Sequence, residues 1–231
     1  MIIGGLQKLT LIDYPGKLAA TIFLAGCNFR CPWCYSSELV LPEKIKNQPR
    51  ISENVFFEFL NGKKGLLEGV VVCGGEPTLN NDLMDFIGKI KEMGFSVKLD
   101  TNGTNPGMLK ELLEKKMIDY VAMDIKAPKE KYQELAGKKI NLADIEKSVD
   151  LLLSLSDDYE FRTTLVPNLL NKEDIISISR WLSGAEKYYI QNFRPEKNID
   201  KKYEGIAPYP DEYVLDIVRA VSPFFGECRM R

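Results

Sequence analysis

The chain has 231 residues, 45% of them hydrophobic and 28% charged, with a formal net charge of −2. That length suits one domain able to bury about 70 to 75% of the surface its unfolded chain exposes, and the charge gives no global attraction to nucleic acid or to an anionic membrane. No apolar run approaches the roughly 20 residues that span a bilayer, and the N-terminus does not resemble a secretory leader, so a cytoplasmic, reducing setting is expected.

In chain order, residues 7–17, QKLTLIDYPGK, hold a Pro-Gly turn after an apolar-alternating stretch, and 1–17 reads as an N-terminal hairpin extension ahead of a barrel core over 18–222. The continuously apolar LAATIFLA of 18–25 reads as a buried parallel strand, which Gly26 ends. After a polar linker holding Pro42 and Pro49, Ser52 can cap a helix through Phe59 with Val55, Phe56 and Phe59 at helical spacing. VVVC, 70–73, is a second buried strand, and the same grammar recurs. Helix 81–93 leads to strand FSVKLD, helix 106–116 to strand DYVAMDIK, and helix 142–155 to strand YEFRTTLV. Helix 172–183 leads to strand KYYIQ, and a last helix, 210–222, precedes a short tail. Six strands alternating with helices predict an α/β fold with parallel strands, an incomplete (βα)6 barrel rather than the closed eight-stranded one, in a single domain over 1–231.

Polar residues fall at the expected C-terminal ends of these strands, where such folds place their chemistry. The first strand ends in CNFRCPWC, 27–34, which gathers Cys27, Cys31 and Cys34 on one short loop. Four-iron clusters normally take four thiolates and structural zinc four ligands, so three thiolates leave one metal position open to a ligand that is not protein. The chain has no histidine to complete a zinc site, and Cys73 and Cys228 are the only other thiols. Cys73 reads as a small core residue and Cys228 as a thiol of no special role. A simple electron-transfer cluster is the alternative, though it would want a fourth ligand.

The second strand ends in Gly74-Gly75-Glu76-Pro77, the third in Asp100-Thr101-Asn102-Gly103, and the fourth near Asp124 and Lys126. The fifth carries Arg162 and runs to Pro167-Asn168. Glycines let a ligand approach the backbone, and Glu76 can accept a hydrogen bond from an ammonium group. Asp100, Thr101 and Asn102 offer a carboxylate, a hydroxyl and an amide suited to ribose or amino-acid atoms. Asp124 and Lys126, two apart, would share a strand face. Tyr188, Tyr189 and Phe193 read as core, with a channel lining as the alternative.

The C-x3-C-x2-C spacing with Trp33 before the last cysteine resembles the signature of radical S-adenosylmethionine (SAM) enzymes, and GGE matches the motif that holds the methionine amine in that family. DTNG with DIK, together with QKLTLIDYPGK and IQNFRP of 190–195, resembles the glycyl-radical-enzyme activating enzymes, in the branch labelled anaerobic ribonucleoside-triphosphate reductase activating proteins. The resemblance covers Gly5 to about Pro195. It implies a 4Fe-4S cluster on Cys27, Cys31 and Cys34, with SAM against Trp33, Gly74, Gly75, Glu76, Asp100, Thr101 and Asn102. It further implies that Asp124, Lys126 and Arg162 face the cofactor, with Cys27, Cys31, Cys34, Lys126 and Arg162 as the catalytic set. A monovalent cation at Asp100, Thr101 and Asp124 is implied as well. The implied reaction is reductive SAM cleavage to a 5′-deoxyadenosyl radical that abstracts hydrogen from a glycine of a partner enzyme, with an external electron donor such as flavodoxin or ferredoxin, and without nucleic acid or membrane. A small-molecule reaction of the 7-carboxy-7-deazaguanine synthase type is the rival within the same superfamily. The chain departs from some relatives in lacking a histidine on the sixth strand, and its two remaining cysteines cannot form a ferredoxin module.

Overall fold

The computed structural model describes residues 1–155 and 158–231. By its contacts the chain forms two compact units: one of Met1–Asn28, Glu38–Thr101 and Gly107–Val121, the other of Phe29–Ser37, Asn102–Pro106 and Ala122–Arg231.

The first unit opens with β1 (Ile3–Thr10), antiparallel to β2 (Ala19–Leu24). Gly16, at φ 72°, makes the Pro-Gly turn, and the Lys17 amide donates to the Tyr14 carbonyl across it. The hairpin therefore reaches beyond residue 17, and its second arm is the first parallel strand itself. The turn delivers Tyr14 into a cluster with Ala19, Val71 and Tyr120. Beyond the short helices α1 (Ser37–Val40) and α2 (Pro42–Ile45), α3 (Glu53–Asn61) is capped by the Ser52 hydroxyl, which accepts from the Val55 amide. Its buried positions are Phe56 and Leu60, while Val55, expected on the apolar face, lies on the outer side and is 54% exposed. Phe56 stacks on Phe86 of α4 (Leu83–Glu92). Strand β3 (Gly69–Gly74) pairs parallel with β2 and with β4 (Ser96–Thr101). Along β4 the side chains alternate, so Val97 and Leu99 join the hydrophobic core while Lys98 and Asp100 project from the opposite face. Helix α5 (Pro106–Glu114) leads to β5 (Tyr120–Asp124).

The second unit continues from β5 through α6 (Tyr132–Ala136) and α7 (Leu142–Leu155) to β6 (Tyr159–Leu165). Helix α8 (Lys172–Trp181) begins with a capping box in which Asn171 and Asp174 each satisfy the other's backbone amide. Strand β7 (Lys187–Asn192) pairs parallel with β6. After α9 (Asp211–Val221), the expected tail is instead a strand, β8 (Glu227–Met230), parallel to β7, and Phe225 packs on Tyr188 just before it. Tyr188, Tyr189 and Phe193 are all buried, in keeping with a core role.

The strands follow one linear order, β1 to β8, so the six expected βα strands, β2 to β7, gain one neighbour at each end. This is the unclosed, mainly parallel α/β arrangement expected of an incomplete barrel. No helix among the described residues is long and apolar enough to cross a membrane.

The pairing of β2 with β3 extends past both strand ends. The Gly75 amide donates to the Leu24 carbonyl at 2.8 Å and the Glu76 amide to the Gly26 carbonyl at 2.7 Å. A Cβ at Gly75 would overlap the Gly26 carbonyl oxygen, which is backbone and cannot swing aside. Gly75→Ala should therefore cost about 1–3 kcal/mol by forcing the two segments apart, read as a lower urea midpoint at unchanged slope.

Candidate active site

In the first unit the strand ends of β3 and β4 converge on Glu76. Its side chain is 1% exposed, and one carboxylate oxygen accepts from the Thr78 amide (3.1 Å), the Thr78 hydroxyl (2.5 Å) and the Thr101 hydroxyl (2.8 Å). These three donors take the place of the water that burial removes from the carboxylate. Gly74, at φ 130°, lies so close to Leu24 that any side chain there would meet backbone. Gly74 and Gly75 thus let the end of β3 lie directly against the Leu24 and Gly26 backbone, at the start of the cysteine loop. Thr101 orients Glu76, a part the sequence did not suggest. Asp100 is paired with Lys98, itself 1% exposed and 5.9 Å above the Tyr120 ring.

In the second unit Asp124, at the end of β5, is gripped by two cations. Lys126 Nζ lies 3.0 Å from one oxygen and Arg162 Nε 2.9 Å from the other. Lys126 falls two residues beyond the strand, not on it, yet the expected pair forms. Burial alone would raise the Asp124 carboxyl, but the charges of Arg162 and Lys126 outweigh it and hold its pKa at about 2. For Lys126, burial opposes the charged form, but the Asp124 charge prevails and holds the ammonium well above the ordinary lysine range. Tyr132, fully buried, receives the Lys126 amide at 3.2 Å, and burial pushes its phenol up. Behind Arg162 stands Glu160, 0% exposed, bound by both guanidinium nitrogens of Arg231 at 2.8 and 3.1 Å, with Arg162 at 3.9 Å. Asn102 closes a turn, its amide oxygen accepting from the Thr104 amide and hydroxyl. The sequence reasoning missed Lys98, Tyr132, Glu160 and Arg231, since each acts through a partner remote in the sequence or masked by an ordinary strand pattern.

Of the loop cysteines, Cys31 is 6% exposed, and Cys34 closes a turn onto it, amide to carbonyl at 3.0 Å. Trp33, 5% exposed, is buried with them. Among the described residues no three or more histidine, cysteine, aspartate or glutamate side chains are drawn up in a metal-binding arrangement. The fit to an iron–sulfur cluster rests on donor chemistry, three thiols at this spacing. For a monovalent cation the donor set is less suited, because Asp100 already faces Lys98, and Asp124 faces Lys126 and Arg162.

Residues 21–182 match the Radical SAM superfamily. A Methanocaldococcus jannaschii protein whose name assigns it, provisionally, as a glycyl-radical enzyme activating enzyme is 37% identical over 221 residues, covering 93% of this chain and 88% of that protein. The 7-carboxy-7-deazaguanine synthase of Thermococcus kodakarensis is 27% identical over 128 residues, covering 48% of this chain and 50% of that enzyme. Among solved structures, a domain of the pyruvate-formate lyase-activating enzyme from Bacteroides vulgatus matches the fold with a TM-score of 0.56 at 16% identity, over 71% of this chain and 98% of that domain. With a family match across most of its length and a relative similar from end to end, the chain belongs to the radical SAM superfamily of enzymes.

Proposed function

We propose that this enzyme generates a glycyl radical on a partner enzyme, of the kind represented by anaerobic ribonucleotide reductase. The observation that carries the reading is the 37% identity to the Methanocaldococcus jannaschii protein across 93% of this chain. When bound, a 4Fe-4S cluster charged by an external low-potential donor such as flavodoxin or ferredoxin supplies the electron that cleaves SAM to methionine and a 5′-deoxyadenosyl radical, which takes a hydrogen atom from the glycine Cα and leaves as 5′-deoxyadenosine.

The chain's own residues bind and orient. Cys27, Cys31 and Cys34 furnish the thiolates, and their number leaves one iron for a ligand that is not protein. Gly74 and Gly75 seat β3 against the strand that leads into the cysteine loop, and Glu76, fixed by Thr78 and Thr101, would accept from the methionine ammonium of SAM. The family resemblance extends the proposal to Trp33, Asp100 and Asn102 as further SAM contacts. Lys126 and Arg162, both held in place by Asp124, would attract the SAM carboxylate. A monovalent cation shared by Asp100, Thr101 and Asp124 would have to compete with Lys98, Lys126 and Arg162, and cleavage indifferent to potassium and sodium would remove it from the account.

The partial similarity to 7-carboxy-7-deazaguanine synthase favours a second reading, a small-molecule substrate. Anaerobic reconstitution separates the two. The Cys27, Cys31 and Cys34 triple serine variant should lose its iron and sulfide, whereas Cys73→Ala and Cys228→Ala should keep both. The wild-type protein should form stoichiometric 5′-deoxyadenosine only when the partner is added. Multiple turnover on a purine-like metabolite with no partner present would favour the second reading.

A pH experiment tests the Asp124 array. Its folded pKa, about 2, lies below the ordinary 3.8, so the stabilisation it gives is complete above pH 3.8 and lost as pH falls towards 2. Asp124→Asn should be less stable than wild type at pH 7, because two cations lose their counter-charge, and should lack the wild-type loss of stability between pH 3.8 and 2. Urea unfolding across that range reads both effects.

A further inference from the structure

A segment far along the chain reaches back to the cysteine loop. Within the second unit three successive carbonyls of that loop accept from three successive residues. The Asp200 amide donates to Pro32 at 2.9 Å, the Asn198 side-chain amide to Trp33 at 2.7 Å, and the Ile199 amide to Cys34 at 2.9 Å. Two of the three come from backbone, so the path of the segment fixes them. The third depends on one side chain, Asn198, which is 4% exposed and lies 165 positions from its partner.

Asn198 is an expensive choice for packing alone. Its amide nitrogen faces two carbonyls, Trp33 at 2.7 Å and Arg194 at 3.5 Å, which fixes the amide orientation. Its amide oxygen is then buried without a hydrogen-bond partner among the described residues. Leaving a buried acceptor unsatisfied costs stability, a cost that the bond to the Trp33 carbonyl has to offset. The loop it holds contains Cys31, Trp33 and Cys34, with Trp33 and Cys31 almost fully buried.

We propose that Asn198 is a positioning residue for the iron–sulfur site: with the Ile199 and Asp200 amides, it clamps the Pro32–Cys34 backbone, holding the two C-terminal thiolates of the loop in place and keeping Trp33 packed over them. The inference rests on those cysteines being cluster ligands. The clamp lies outside the catalytic and cofactor-binding set, so it acts on the lifetime of the cluster. Every carbonyl of the CPWC half beyond Cys31 is taken up by this segment, so the backbone there cannot turn to release a ligand without breaking the clamp.

Asn198→Leu deletes the hydrogen bond and the orphaned oxygen together, while Asn198→Asp keeps the shape but turns an acceptor toward two carbonyls. Two readouts are taken. In a Trp181→Phe background Trp33 is the sole tryptophan, and its emission in the iron-free protein reports the clamp directly. In the reconstituted protein, the half-life of the iron chromophore against a chelator reports the cluster.

Both variants should red-shift Trp33 emission and shorten the chelator half-life by about tenfold, the equivalent of one lost hydrogen bond. Asn198→Leu trades the orphaned Asn198 oxygen for an unpaired Trp33 carbonyl, so its thermal midpoint should stay close to wild type while the chelator half-life falls, which a merely structural role would not give. Wild-type emission and half-life in both variants would overturn the inference, as would faster iron loss with Trp33 emission unmoved. Iron retained by the triple cysteine-to-serine variant would instead sink the reading of the cluster on which the inference rests.

Discussion

The hydrogen bond from the Glu76 amide to the Gly26 carbonyl is the constraint from which the position of Glu76 follows. It continues the parallel pairing of β2 and β3 beyond the last residue of each strand, and it can form only because Gly74 and Gly75 bring no side chain to the seam. Once that seam is closed, Glu76 has no route to solvent, and its charge must be met by protein donors. Thr78 follows it by two residues, and Thr101 ends the neighbouring strand, so the register of β3 with β4 supplies the remaining donor. A glycine pair, a buried glutamate and two threonines thus form one unit.

The second unit answers a different problem, how to keep two cations close together and charged. Lys126, Asp124, Arg162, Glu160 and Arg231 alternate in sign, so each carboxylate stands between two cations. Isolated buried charges are costly, and an alternating row offsets most of that cost while fixing each head group. Glu160 gains a second restraint through Arg231, whose guanidinium lies 3.5 Å from the centre of the Tyr189 ring. Cations fixed in this way are what the proposed attraction of the SAM carboxylate needs, since preorganised charges are worth more than mobile lysines in the same place.

Much of this was legible from residues alone. Apolar runs such as VVVC and LAATIFLA announced buried strands, and helix 142–155 carries its own periodicity. The pairing of Asp124 with Lys126 followed from spacing, although the strand ends before the lysine. What the sequence hid depends on contacts between distant residues. Strand β8 is four residues of mixed polarity with no periodic signal, and it exists because β7 offers it an edge. Lys98 looks like any polar strand position until Asp100 and Tyr120 are seen beside it. Asn198 sits in a charged connection whose composition reads as a solvated loop, and only its hydrogen bond to Trp33 reveals otherwise. Val55 fits the helical spacing yet faces outward, because Phe56 and Leu60 already fill the side that meets Phe86.

The central claim is that the hydrogen atom comes from a glycine of a protein, and electron paramagnetic resonance tests it most directly. The reduced, reconstituted enzyme is mixed anaerobically with SAM and the candidate partner, and the spectrum is recorded. The account predicts a stable doublet from a glycyl radical on the partner, abolished when that glycine is replaced by alanine. No radical on any partner, with efficient conversion of a small metabolite by the enzyme alone, would contradict it.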